Sequence, residues 1–217
     1  PFCRPAPADT MPEMLGWALL LAGGGLAALI ALRPLAAHVL SRPDPGGDGR
    51  EGLVVFVESI RWLGVRWGLR TAARGLRRAG FRGRLLYWRW HASWRGWLVV
   101  PAIADRAMLE RQARRLAGFL TRRKRRRPDR PLYVVGYSCG AFVALRALEL
   151  LPGDVRMDAA ALLAGAFAPT RDVRPACDRL AGPLVVCSSL LDCWTVGLGT
   201  LLVGTGDRRH CLSAGCV

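Results

Sequence analysis

A chain of 217 residues has room for one domain and an appendage. Apolar residues make up 52%, charged residues 22%, and mean hydropathy is +0.20, which excludes a disordered, collagen-like or low-complexity chain. Net charge is +16, yet Lys124 is the only lysine among 32 basic residues. Such an arginine bias is typical of GC-rich coding, so basicity alone does not assign a nucleic-acid partner.

The N-terminal tail, 1–13, opens on Pro1, with Met11 and Met14 as candidate starts. From Met14 to Leu32 there is no charge. As a helix that run spans about 28 Å, one hydrocarbon thickness, and it is apolar all round. A transmembrane anchor with its flank is expected over 14–40; a signal peptide or a buried core helix are the other readings. Asp9 and Glu13 precede the run while Arg33, Arg42 and Arg50 follow it, which places the body in the cytoplasm on a single-pass membrane protein. Residues 41–52 are rich in Pro, Gly and Asp and read as a linker.

The remainder, 53–217, alternates strand and helix signals. Leu53–Val57 is a β-branched strand, 67–80 a basic amphipathic helix with Leu69, Ala73 and Leu76 on one side, and 85–90 a second strand. A long helix over 103–123 precedes a strand at 132–136. A helix over 141–151 stops at Pro152–Gly153, and strands at 157–163 and 184–188 flank a short helix at 173–180. Strands separated by helices imply an α/β fold: a mostly parallel sheet with helices on both faces.

The seven cysteines, Cys3, Cys139, Cys177, Cys187, Cys193, Cys211 and Cys216, are odd in number and form no C-x-x-C pair. Neither a disulfide framework nor a zinc site is spelled out, and reduced thiols in a reducing compartment are expected. No metal or organic cofactor is implied. The run Thr121–Arg127 is read chiefly as a solvated helix end, with anionic lipid as a second reading and a nucleic-acid signal as a third. Among the tryptophans of 87–97, Trp88 and Trp90 alternate as strand residues under a helix, whereas Trp94 and Trp97 suit a loop at an interface or pocket.

Where the 132–136 strand ends stands Gly136-Tyr137-Ser138-Cys139-Gly140, a G-x-S-x-G pattern between strand and helix. A sharp turn there lifts Ser138 clear of the sheet, while the glycines let strand and helix approach. A plain structural turn is the alternative. With this elbow, the strand before it, the helix after it and Asp192 beyond a later strand, the chain resembles the α/β-hydrolase family over 53 to the C-terminus. The stretches 55–60 and 197–200 further resemble uncharacterised bacterial, membrane-linked members.

The resemblance implies a serine hydrolase acting on an ester or related acyl bond, with Ser138 as nucleophile and Asp192 as the acid. The oxyanion would accept from the backbone N–H of Cys139 and of Ser59 or Ile60, although Glu58 is an unfavourable neighbour unless it points away. The base is the departure from the family pattern. His38 and His91 fall early, and His210 has no clear strand before it. Residues 214–217 read as the start of a further strand, so the domain is expected to be incomplete, with the histidine beyond Val217 or His210 serving. A catalytically inactive binding or scaffold protein is the rival reading. The expected partners are membrane lipid and a small acyl substrate, with no nucleic acid.

Overall fold

The computed structural model describes residues 28, 31–32, 47, 51–59, 68–90, 105–193 and 196–216. Most of the 14–40 segment and of the linker, with His38, Ile60, His91, Trp94 and Trp97, lies outside them. Ala28, Ala31 and Leu32 are helical and exposed. Among the described residues no helix is long and apolar enough to cross a membrane.

Five strands form one sheet: β1 (Leu53–Val57), β2 (Arg84–Trp88), β3 (Leu132–Tyr137), β4 (Ala159–Leu163) and β5 (Leu184–Cys187). Their order is β2-β1-β3-β4-β5 and every pairing is parallel. All strands therefore end at one edge. The register puts Gly136 of the central β3 beside Val57 of β1 and Leu162 of β4.

Alternation along β3 separates two faces. Leu132, Val134 and Gly136 are buried, while Tyr133, Val135 and Tyr137 are half-buried. The buried face carries the main core, where Val55, Val57, Val134, Ala160 and Leu162 pack under α2 (Arg106–Arg126) and α3 (Cys139–Glu149). Asp105 starts α2 by accepting the Met108 N–H at 2.8 Å, which satisfies one orphan donor of the first turn. Leu109, Ala113, Leu116, Ala117 and Leu120 then form its buried stripe. α3 is buried from Cys139 through Leu145, because it lies between the sheet and α2. A glycine in β3 permits that: a Cβ on Gly136 would stand 2.5 Å from the Ala141 Cα.

Among the described residues the second face is covered by α1 (Leu69–Arg78), packed near Phe56 and Tyr137. Helices thus lie on both faces, unequally. β5 is left half-open, with Val185 and Val186 at 46% and 44% exposure. A short α4 (Arg174–Cys177) precedes β5, and a 3-10 turn (Leu190–Cys193) and α5 (Val196–Val203) follow it.

Two sequence expectations are corrected and one unexpected helix is added. The helix expected over 173–180 shrinks to four residues, because Asp178 caps it and the Arg179 and Leu180 N–H groups bond three residues back, to Ala176 O and Cys177 O, rather than four. Val196–Val203 is a helix that no sequence signal announced, because two glycines interrupt it. The strand expected at 214–217 is instead a turn over 214–216. Its backbone is spent on loops: Ala214 N–H donates to Phe167 O at 2.8 Å, Gly215 N–H to Gly165 O at 3.0 Å, and Ser189 N–H to Gly215 O at 2.9 Å. Those bonds cross two loops and leave no ladder to extend.

The basic run ends α2. Lys124 pairs with Asp158 at 2.8 Å and Arg125 with Asp154 at 2.9 Å. A chain of ion pairs then joins α2 to α3 and onward, from Glu110 to Arg146, Glu149, Arg171 and Asp207. Trp88 packs on Phe119 of α2 at 5.1 Å between ring centroids, and the buried Trp90 donates its Nε1–H to the Glu58 carbonyl.

Candidate active site

Ser138 stands between β3 and α3 with φ 54° and ψ −121°. An L-residue rarely takes positive φ, and a serine is held there only by its surroundings. The holding bonds are visible. Ser138 N–H donates to Leu163 O at 2.9 Å, and Ser138 O accepts from Ala141 N–H at 2.9 Å and Ala166 N–H at 3.2 Å. The turn is thereby tied to the end of β4 and to the loop after it.

Gly140 is fixed by a different contact. A Cβ there would lie 2.2 Å from the Val57 carbonyl O and 2.3 Å from that of Glu58. The first turn of α3 is pressed against the end of β1, which brings Ser59 to the same edge as the N–H groups of Cys139 and Gly140. Those N–H groups belong to a helix start, where donors have no intrahelical acceptor and the dipole favours developing negative charge. Glu58 is 1% exposed, and its Oε1 accepts from Gly68 N–H at 2.6 Å. Its carboxylate is thus engaged at the start of α1, where the helix dipole favours it.

Asp192 lies on the 3-10 turn after β5, at the same sheet edge as Ser138. With Tyr137, Leu163, Ser188, Ser189 and Phe56 it lines a largely apolar cleft of about 540 Å³ between α1 and the strand ends. Burial, then the charges of Asp192 and Glu58, push the Tyr137 phenol above its usual range, so it stays protonated between two carboxylates.

His210 is exposed and its Nδ1 bonds to the Leu201 carbonyl O at 3.0 Å. Its hydrogen bond is to α5, not to Ser138 or Asp192. The structure therefore gathers Ser138, Cys139, Ser59 and Asp192 at one edge and turns His210 to the helix that follows Asp192.

Two neighbours of Ser138 have no role assigned from the sequence. One is Tyr137, which lines the cleft with Asp192. Arg106, the first residue of α2, comes close enough to the Cys139 thiol for their charges to interact, and its Nη1 is buried with no hydrogen-bond partner among the described residues. Burial pushes the Cys139 thiol up to about 11, with the Ser138 hydroxyl and Arg106 opposing. Cys139 is therefore a protonated neighbour of the Ser138 hydroxyl at neutral pH. No local sequence pattern joins Arg106 to residue 139; the packing of α2 on α3 does. Among the described residues there is no cluster of three metal-ligating side chains.

No protein-family model matches the chain, and no curated protein matches it in sequence. Among solved structures, the chain is similar to a Trichoderma reesei cutinase in complex with a C11Y4 phosphonate inhibitor. Identity is 18%, the TM-score is 0.49, and the match covers 82% of this chain and 84% of the cutinase chain.

Proposed function

We propose that this protein is a membrane-anchored serine hydrolase of α/β-hydrolase type that cleaves an ester or related acyl bond. The single observation that carries the reading is the backbone of Ser138, φ 54° and ψ −121°, at a strand-to-helix turn. A plain turn would give such a position to glycine. A serine kept there at a cost in strain suits a nucleophile that must stand clear of the sheet.

In this mechanism Ser138 Oγ attacks the acyl carbon. The oxyanion accepts from Cys139 N–H, at the start of α3, and from Ser59 N–H, two residues past the end of β1. A histidine takes the serine proton, and Asp192 orients that histidine and stabilises its charge. His210 is turned to Leu201, so the histidine of this reading comes from outside the described residues. The anchor rests on the uncharged 14–32 run and the arginines after it, which put the body on the cytoplasmic side.

The same orientation of His210 favours the rival, a hydrolase-like binding protein without chemistry, since serine without a base is a weak nucleophile. A fluorophosphonate probe on the membrane-extracted protein decides between them. Labelling that is lost in Ser138→Ala supports the enzyme. Absence of labelling in folded parent protein supports the binding protein.

A further inference from the structure

Six cysteines lie among the described residues, all of them as free thiols, and two stand together. Cys193 closes the 3-10 turn that carries Asp192, and Cys216 lies on the 214–216 turn. The Cys193 Sγ is 3.7 Å from the Cys216 carbonyl O, to which the thiol donates. The two thiols are also close enough to influence each other's ionisation. Both converge on Gly197 of α5: a Cβ there would meet Cys216 Sγ at 3.0 Å and Cys193 Cβ at 3.6 Å. The glycine that interrupts α5 thus makes room for the two cysteines.

The backbone around the pair is already joined. Ser189 N–H, at the start of the Asp192 turn, donates to Gly215 O at 2.9 Å, and Cys216 N–H donates to Ser213 O at 2.9 Å. Cys216 is buried, with Ser213 Oγ 3.3 Å from its sulfur, and Cys193 is half-buried. One thiol is therefore open to a reagent and the other waits behind it. A disulfide needs its two Cβ atoms about 3.5–4.5 Å apart, a separation that the backbones of the two turns set, while rotation about χ1 swings each sulfur toward the other.

We propose that Cys193 and Cys216 are an oxidation site: with a low-molecular-weight disulfide as oxidant they form a reversible intramolecular disulfide that fixes the turn bearing Asp192. The Cys193 thiolate attacks one sulfur of the reagent and releases one thiol. The Cys216 thiolate then displaces the second thiol and closes the protein S–S bond. The protein loses two electrons and two protons, and the reagent's disulfide is reduced to two thiols. Burial holds the Cys193 thiol above its usual range, with Cys216 and the Asp192 charge acting in the same direction, so thiolate is scarce at neutral pH and the exchange is slow there. The consequence for catalysis rests on the hydrolase reading, in which Asp192 is the acid; the cross-link itself does not.

The test is exchange of the reduced protein with oxidised glutathione at pH 8, followed by alkylation and mass analysis. The expected product takes up two alkyl groups fewer than the reduced protein and, apart from them, is about 2 Da lighter, because two hydrogens are gone. The peptides holding residues 193 and 216 are expected to be joined, dithiothreitol to separate them, and Cys193→Ser to lack the product. Cleavage at Leu190–Leu191, both 81% exposed, is expected to slow severalfold on oxidation. Recovery of Cys193 and Cys216 as separate alkylated or glutathione-capped residues, while the exposed Cys177 has reacted, overturns the pair. A joined pair with unchanged cleavage overturns the fixing of the turn. Since every readout is covalent or proteolytic, a protein without esterase activity leaves this test intact.

Discussion

Alanine at position 140 is the sharpest perturbation of the site's frame. The new Cβ falls 2.2 Å from the Val57 carbonyl O and 2.3 Å from that of Glu58, about 1 Å inside ordinary contact. Neither neighbour is a flexible side chain. Val57 is paired to Trp88 on one side and Gly136 on the other, so the strand end cannot yield without breaking its register. The helix cannot yield either, since Ala141 to Leu145 are buried against the sheet and α2. Overpacking of this kind costs about 1–3 kcal/mol, and the rigid backbone places it at the upper end. Helix propensity returns about 0.5–1 kcal/mol of that. The net loss is about 2–2.5 kcal/mol, a fall in Tm of about 4–10 °C for a chain of this size.

The internal control is Gly75→Ala in α1, where a Cβ meets nothing within 4 Å. There the propensity gain stands alone, and Tm is expected to rise by about 2–4 °C. Differential scanning fluorimetry of the two variants beside the parent is the assay. Fluorophosphonate labelling of Ser138 should fall in the first variant only. A Gly140→Ala protein that melts within one degree of its parent refutes the close approach of α3 to β1, and with it the shared edge of Ser59 and Cys139.

Ser138→Gly removes the Cβ from a positive-φ site, so Tm is expected to rise by about 2–4 °C while labelling vanishes; a Tm that falls contradicts the strain at the elbow. Cys139→Ala leaves the backbone N–H in place and is expected to keep most of the labelling, whereas loss of labelling in a folded variant would give the thiol a role of its own. Glu110 is held below the usual carboxylate range chiefly by its hydrogen bond from Arg146. Its contribution is present in full above about pH 4.5 and is lost as pH falls through the depressed value, so the Tm gap between parent and Glu110→Gln should shrink from pH 6 to pH 3. A gap that is constant over that range places the stabilisation elsewhere. Deletion of residues 11–40 is expected to move the protein from the membrane pellet to the supernatant, and retention in the pellet refutes the anchor.

Strand and helix positions were legible because burial imposes a period. Leu53–Val57 and Leu132–Tyr137 are short β-branched or apolar runs bounded by Gly and Pro, and α2 repeats its apolar residues every three to four positions behind Asp105. The elbow was legible because its pattern is local: Gly136 and Gly140 flank Ser138 within five residues, although the approach of Gly140 to Val57 and Glu58 is long-range. Sequence alone did not reveal α5 or the turn at 214–216, since both owe their conformation to distant partners. Gly197 is tolerated in a helix because Cys193 and Cys216 need the space, and residues 214–216 spend their hydrogen bonds on Gly165, Phe167 and Ser189. The direction of His210, the engagement of Glu58 with α1, and the nearness of Arg106 to Cys139 were likewise settled only in three dimensions. Each depends on side-chain rotation and on groups nine to thirty-three residues apart, and neither leaves a period in the chain. Local periodicity therefore determined which elements form, and packing across the sheet edge decided which side chains meet there.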